Sequence, residues 1–318
     1  MNIAIDTNIK KSSDFGRVLV IYGGNSNERD ISLNSGTAVL EALQSKGIEA
    51  YGWDPKIEPL YKILKKNFDR AWIALHGQGG EDGSIQGALE FLGIPYTGSG
   101  ILASAVAMNK IMSKKLFQAN NISTPDFKII RTKDDALNAM ECLGFPMVLK
   151  PVSEGSSIGM SIISEPNDMD EALSLALSFN NIALAEECII GDEVTVAVLN
   201  NKSFPSIRIK TPRVFYDYSA KYKSVETQYI CPGNNDIKLE ELYSDIALKA
   251  FDALGCRGWG RIDFMKHDSE IPKVLEVNTV PGMTEKSLVP IAAKQLGMGF
   301  PDLCWRILET SFDNKSVI

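Results

Sequence analysis

A chain of 318 residues, 44% hydrophobic and 23% charged, is long enough for two or three domains with substantial cores. Its formal net charge of −7 argues against a general nucleic-acid binder, which would carry a basic excess. Two histidines leave little for a histidine-rich metal site or a Ser-His-Asp hydrolase, and no apolar run approaches a membrane-spanning length. The five cysteines (142, 188, 231, 256, 304) are scattered and lack C-x-x-C spacing, which points to reduced thiols in the cytoplasm and away from zinc.

Residues 1–16 are polar, with no signal-peptide core, and read as a flexible tail. Residues 17–103 alternate strand and helix signals. A strand over 17–22 feeds Gly23-Gly24, a helix runs over 31–45, and strands follow at 48–53 and 71–76. The third strand enters the loop Gly77 to Gly83, and a helix passes through 89–92. Short connections of this kind predict a Rossmann-like parallel sheet with ligands at the carboxyl ends of its strands. The composition changes near Gly98-Ser99-Gly100.

Residues 104–190 read as a compact α+β unit: a helix from 102 to 120, strands at 127–130, 147–150, 161–163 and 182–187, and helices at 134–142 and 168–177. Residues 191–318 carry strands at 194–199 and 206–209, a helix at 239–254 and terminal helices at 287–296 and 300–309. The segment 211–232 is long, polar and rich in tyrosine, as a functional lid would be.

The runs Gly258 to Met265 and Val274 to Asn278 alternate polar and apolar residues around a polar turn. A hairpin centred on Ser269 and Glu270 sets Asp263 opposite Glu276 and Arg261 opposite Asn278. All four then share one face, with Ile262, Phe264, Leu275 and Val277 on the other. Like charges directly across a hairpin destabilise it unless something neutralises them. Asp, Glu and Asn oxygens are hard donors suited to magnesium, and the rigid Thr279 to Thr284 turn that follows favours this reading over a solvated polar face. Lys150 to Gly159 (KPVSEGSSIG) is a loop of small residues between strands. Its N–H groups could close on phosphate oxygens, although it is not a Walker sequence. Glu186 to Glu193 is an apolar hinge with flanking acids, by itself an ordinary connection.

Taken together, these blocks resemble the ATP-grasp family, and within it the D-alanine–D-alanine ligases. The likeness rests on Gly23-Gly24, Glu28-Arg29, Ser32 to Gly36, Ala74 to Gly77, Gly79 to Gly83, Tyr96 to Gly100, Lys150-Pro151, Glu154 to Ser157, Tyr216 to Tyr218, Lys221-Tyr222, Gly258 to Asp263, Glu276, Asn278, Pro281 to Thr284 and Ser287-Leu288. It implies an ATP-grasp fold, α/β with α+β character in the later domains, divided into a substrate domain (17–103), a central phosphate-loop subdomain (104–190) and a C-terminal subdomain (191–318).

The activity implied is ATP-dependent joining of two D-alanines through a D-alanyl phosphate, for peptidoglycan precursors. Asp263, Glu276 and Asn278 would hold two magnesium ions, with manganese as a substitute. Lys110, Lys150, Lys221, Ser156 and Ser157 would meet phosphates, and Glu186, Ile189 and Glu193 the adenosine. Glu28 would anchor the first ammonium with Ser156 and Tyr222 as partners, His76 would line that region, and Ser287 and Leu288 would take the second carboxylate. Arg261 and the Gly282 N–H suit an oxyanion.

The implied partners are two D-alanines and ATP, in a homodimer without nucleic acid or membrane. Glu187, Cys188, Val280 and Val152-Ser153 depart from the family pattern, and none of them is a proposed ligand. The alternatives are another ATP-grasp carboxylate–amine ligase or a non-catalytic nucleotide-binding regulator. A dinucleotide oxidoreductase is disfavoured because Gly23-Gly24 lacks the G-x-G-x-x-G spacing.

Overall fold

The computed structural model describes residues 11–63, 67–211, 227–267 and 270–312. Lys221, Tyr222 and most of the expected lid lie outside the described residues.

Strand β1 (Arg17–Ile21) runs between β2 (Glu49–Trp53) and β3 (Arg70–Ile73), all parallel. The last four residues of β1 are buried, as expected of a strand covered on both faces. Helices α1 (Arg29–Ser45), α2 (Leu60–Ile63) and α3 (Ser84–Phe91) complete this layer. The expected loose tail is tied down at its end. Residues 12–15 form a 3-10 turn, and Phe15 is 0% exposed. Its ring meets Trp305 edge-on at 4.8 Å, and Arg70 Nε donates to its carbonyl at 2.7 Å. A phenyl ring offered such a pocket leaves water, whatever the polarity of its neighbours.

The single helix expected over 102–120 is two: α4 (Ile101–Met108) and α5 (Lys110–Ala119). Asn109 between them is extended (φ −89°, ψ 98°), and its side chain accepts the Met112 N–H as an N-cap. Lys110 therefore opens a new helix. The central sheet is antiparallel, with order β4 (Phe127–Ile130), β7 (Ala183–Glu187), β5 (Met147–Pro151), β6 (Ser161–Ile163). Helices α6 (Lys133–Leu143) and α7 (Met169–Leu177) enclose a separate core of Ile130, Ala139, Met147, Leu149 and Ala176.

The third sheet has β8 (Asp192–Leu199), β9 (Lys202–Ser203), β10 (Ile207–Lys210), β11 (Gln228–Ile230), β12 (Trp259–Lys266) and β13 (Lys273–Asn278). Its order is β11-β10-β8-β12-β13, with β9 beside β8. Helix α8 (Ile237–Ala253) packs Tyr243, Ala247, Ala250 and Phe251 against one face. Helices α9 (Leu288–Gln295) and α10 (Phe300–Glu309) do not stay with this sheet alone. Val289, Ala293, Leu303, Ile307 and Leu308 share one core with Val18 to Ile21 of β1. The end of the chain, expected within the C-terminal subdomain, thus helps to build the first layer.

The hairpin register is Arg261 opposite Asn278, Ile262 opposite Val277 and Asp263 opposite Glu276, as the alternation predicts. Phe264 then pairs with Val274, so a bulge leaves Leu275 unpaired. This corrects the expected core face. Val274 is buried beside Phe264, whereas Leu275 turns to a cleft wall.

Replacing Phe15 with alanine is expected to cost about 3 kcal/mol or more of unfolding free energy by denaturant titration. A change under about 0.5 kcal/mol, the size of a surface substitution, would mean that the aromatic contact contributes nothing.

Candidate active site

Two clefts meet in this fold. The larger, of about 640 Å³, lies between the central and third sheets, and the smaller, of about 350 Å³, between the first layer and the third sheet. Asp263, Glu276, Gly155, Ser156, Glu193 and Ile209 line both. The larger also takes Lys110, Lys150, Ser157, Glu186 and Ile189, and the smaller Glu28, His76, Arg261, Asn278, Gly282, Ser287 and Leu288. Every candidate residue among the described ones therefore borders one of two adjoining spaces.

Three neighbouring strands build the shared wall. Thr195 on β8 pairs with Asp263 on β12, which pairs with Glu276 on β13. Asp263 accepts from Thr195 Oγ1 at 2.6 Å, from Arg261 Nε at 2.8 Å and Nη2 at 2.6 Å, and from Asn278 Nδ2 at 2.9 Å. Glu276 pairs with Lys110 Nζ at 3.1 Å, and that ammonium also donates to the Glu154 carbonyl at 2.8 Å. Burial alone would depress Lys110, but the Glu276 carboxylate prevails and holds it above the usual lysine value. Two carboxylates and an amide give a hard-oxygen set that fits magnesium, and no group of three His, Cys, Asp or Glu fit to hold a metal occurs among the described residues. Arg261 spends two N–H groups on Asp263 and keeps its guanidinium on the wall of the smaller cleft.

The loop after β5 carries Ser156 and Ser157 at φ 50° and 59°, both left-handed. Each costs about 1 kcal/mol for a residue with a side chain, and such strain gathers where backbone must face a ligand. Ser156 Oγ donates a hydrogen bond to Glu28 Oε1. A Cβ on Gly155 would meet Glu28 Oε2 at 2.7 Å, so glycine there admits the carboxylate. Ser287 opens α9, where its hydroxyl accepts the Thr284 N–H at 2.9 Å.

His76 is buried and neutral. The Val280 carbonyl can only accept, so Nδ1 carries the proton and donates at 2.8 Å. Ser35 Oγ lies 3.1 Å from Nε2 and itself accepts the Met283 N–H. Burial, with Arg261 nearby, pushes the imidazole down to about 4.

Two further charged groups belong to the site, neither of them a candidate from the sequence. Glu81 lines the smaller cleft and accepts N–H bonds from Gly77 and Val280, while burial and the Glu28 charge push its carboxyl well above the usual range. Lys114, fully buried, pairs with Glu186 at 3.1 Å, and Lys150 pairs with the same carboxylate at 2.7 Å. The one-turn spacing from Lys110 to Lys114 was the available signal for the second. Glu187 and Lys273 join at 2.7 Å beside the hinge.

The family model described as "D-ala D-ala ligase C-terminus" matches residues 116–309, and "D-ala D-ala ligase N-terminus" matches 54–99. A "D-alanine--D-alanine ligase" of Pseudoalteromonas translucida is 49% identical over 94% of this chain and 98% of its own length. One of Pseudomonas fluorescens is 48% identical over 94% and 93%. Among solved structures, the D-alanine--D-alanine ligase of Bacillus anthracis complexed with ATP has a TM-score of 0.82 at 34% identity, covering 93% of this chain and 97% of that one. The VanG D-Ala:D-Ser ligase of Enterococcus faecalis has a TM-score of 0.80 at 28% identity, covering 93% and 99%.

The depressed His76 pKa gives a signed pH effect. The unfolded chain takes up its proton near 6.5 and the folded one only near 4, so this group's contribution is present above pH 6.5 and lost as pH falls toward 4. Glu81, shifted upward, acts in the opposite sense, so the difference between wild type and H76Q isolates the histidine. That stability difference is expected to shrink by about 3 kcal/mol between pH 6.5 and 4, measured by denaturant titration. A pH-independent difference would show that His76 is not buried as the neutral base.

Proposed function

This chain belongs to the D-alanine–D-alanine ligase family, and on that premise we propose how its residues divide the work of an ATP-dependent ligase. The protein joins two D-alanines to D-alanyl-D-alanine for peptidoglycan synthesis, with ATP as the phosphoryl donor. The observation that carries the assignment of roles is the shared wall. A nucleotide-sized cleft and an amino-acid-sized cleft touch at Asp263, Glu276 and Ser156.

In this reading Glu186, Ile189 and Glu193 hold the adenosine, while Lys110, Lys150, Lys221 and the Ser156-Ser157 backbone hold phosphates. Glu28 takes the ammonium of the first D-alanine, with Ser156 and Tyr222 oriented on it and His76 behind. The first carboxylate then faces the γ-phosphate across the shared wall, a proximity worth many orders of magnitude in rate. Phosphoryl transfer gives D-alanyl phosphate, and the second amine displaces inorganic phosphate from it. The second carboxylate sits at Ser287 and Leu288, where the N-terminus of α9 favours an anion. Arg261 and the Gly282 N–H stabilise the oxyanion of the tetrahedral intermediate.

Asp263, Glu276 and Asn278 would hold magnesium, or manganese in its place, which when bound neutralises phosphate charge. A lid expected over 211–232 would exclude water from the acyl phosphate, although its last part, Gln228–Ile230, is the strand β11 paired with β10 and so belongs to the third sheet. The enzyme works in the cytoplasm as a homodimer. All five cysteines are free, in keeping with a reducing compartment, and no described helix is long and apolar enough to cross a membrane. Exposed Phe91 and Leu102, on α3 and α4, provide apolar surface for pairing.

Purified protein given ATP, magnesium and D-alanine is expected to release ADP and dipeptide in equal amounts, with no dipeptide from L-alanine. Nucleotide binding without turnover under any amino acid would favour a regulator, and dipeptide formation from other amino acids alone a different carboxylate–amine ligase. Glu276→Gln is expected to lower kcat by about 100-fold with the magnesium requirement raised. Near-normal turnover in that variant would remove Glu276 from the metal set.

A further inference from the structure

Glu186 lies at the end of β7 with its side chain 2% exposed, and two lysines neutralise it. They are not equivalent. Lys150 Nζ, 2.7 Å away, is 12% exposed and stands in the wall of the larger cleft. Lys114 Nζ, 3.1 Å away, is 0% exposed and lines neither cleft. It also donates to Thr124 Oγ1 at 2.8 Å, and Thr124 donates to the Val274 carbonyl of β13 at 2.8 Å. Lys114 is thus held by α5, the segment after it and the third sheet, whereas Lys150 can swing into the cleft.

A lysine that leaves a buried carboxylate for a phosphate strands that carboxylate without a counter-charge, which is strongly unfavourable. We propose that Lys114 is a positioning residue that keeps Glu186 neutralised, so that Lys150 can leave it and turn to the phosphates of the bound nucleotide. The inference rests on the nucleotide reading of the larger cleft. One fixed and one mobile ammonium share one carboxylate, so this trio carries one net positive charge for the incoming anion. Lys114 itself never touches the nucleotide.

The test is the ratio of the dissociation constants of adenosine and ADP, measured by calorimetry and competition on the full chain at pH 7. Contacts to the adenosine cancel in this ratio, and contacts to the phosphates remain. Lys114→Met is expected to lower the preference for ADP about tenfold, because Lys150 then stays on Glu186. In K114M/E186Q the buried charge is gone and Lys150 is released, so the preference returns to within about threefold of wild type. Equal weakening of both ligands by K114M would mark a merely structural lysine and overturn the proposal. Failure of the double variant to recover the preference would do the same. Should K114M alone not fold, the double variant, which holds no stranded charge, still decides: wild-type preference supports the proposal and its loss ends it. Wild-type protein that binds no ADP would instead defeat the nucleotide reading, and this inference with it.

Discussion

Two carboxylates opposite each other on adjacent strands, at the wall between two clefts, are the constraint on which the rest of the architecture turns. Asp263 and Glu276 repel across β12 and β13, and burial raises the cost of leaving either unpaired. The fold answers with cations drawn from different places. Arg261 comes from the same strand, two residues before Asp263, and grips it with two N–H groups. Lys110 comes from the first turn of α5 and reaches Glu276 only because Asn109 breaks the preceding helix. A local break in the chain and a distant ion pair are parts of one solution. In the proposed function these oxygen donors would exchange their ammonium and guanidinium partners for metal ions and phosphates.

A second carboxylate, Glu28, organises the smaller cleft. Glu28 sits where any side chain at position 155 would collide with it, and Ser156 closes on it from a left-handed backbone. The loop after β5 therefore reaches across to the first layer, and the strain of two left-handed serines is tolerated because the contact holds them. His76 ties the same layer to the third sheet through Val280. The terminal helices make that approach permanent by entering the core of β1. The two clefts become neighbours because separate units share one wall.

Much of this was legible in the chain. Period-two alternation predicts that Asp263 and Glu276 face each other, because pairing and pleat leave few other registers. The Gly-rich turns after β1 and β3 mark the functional edge, and the resemblance gathers Glu28, Lys110, Lys150 and Glu186 into one reading. The bulge was not read, although the adjacent apolar residues Val274 and Leu275 depart from strict alternation there. Leu275 was expected in the core and lines the cleft, with Val274 in its place. Phe15 was read as tail because its partners, Trp305 and Phe312, lie at the other end of the sequence.

Sequence by itself determined most of the strands and helices and the pairing of the two acids. Those are consequences of local periodicity and of side-chain chemistry, which a linear string carries in full. Only the tertiary structure decided the break at Asn109, the return of the last helices to the first sheet, and the burial of Lys114. Burial and charge pairing depend on what arrives from far along the chain. A lysine four residues after Lys110 reads as one more surface cation until Glu186 and Thr124 close around it.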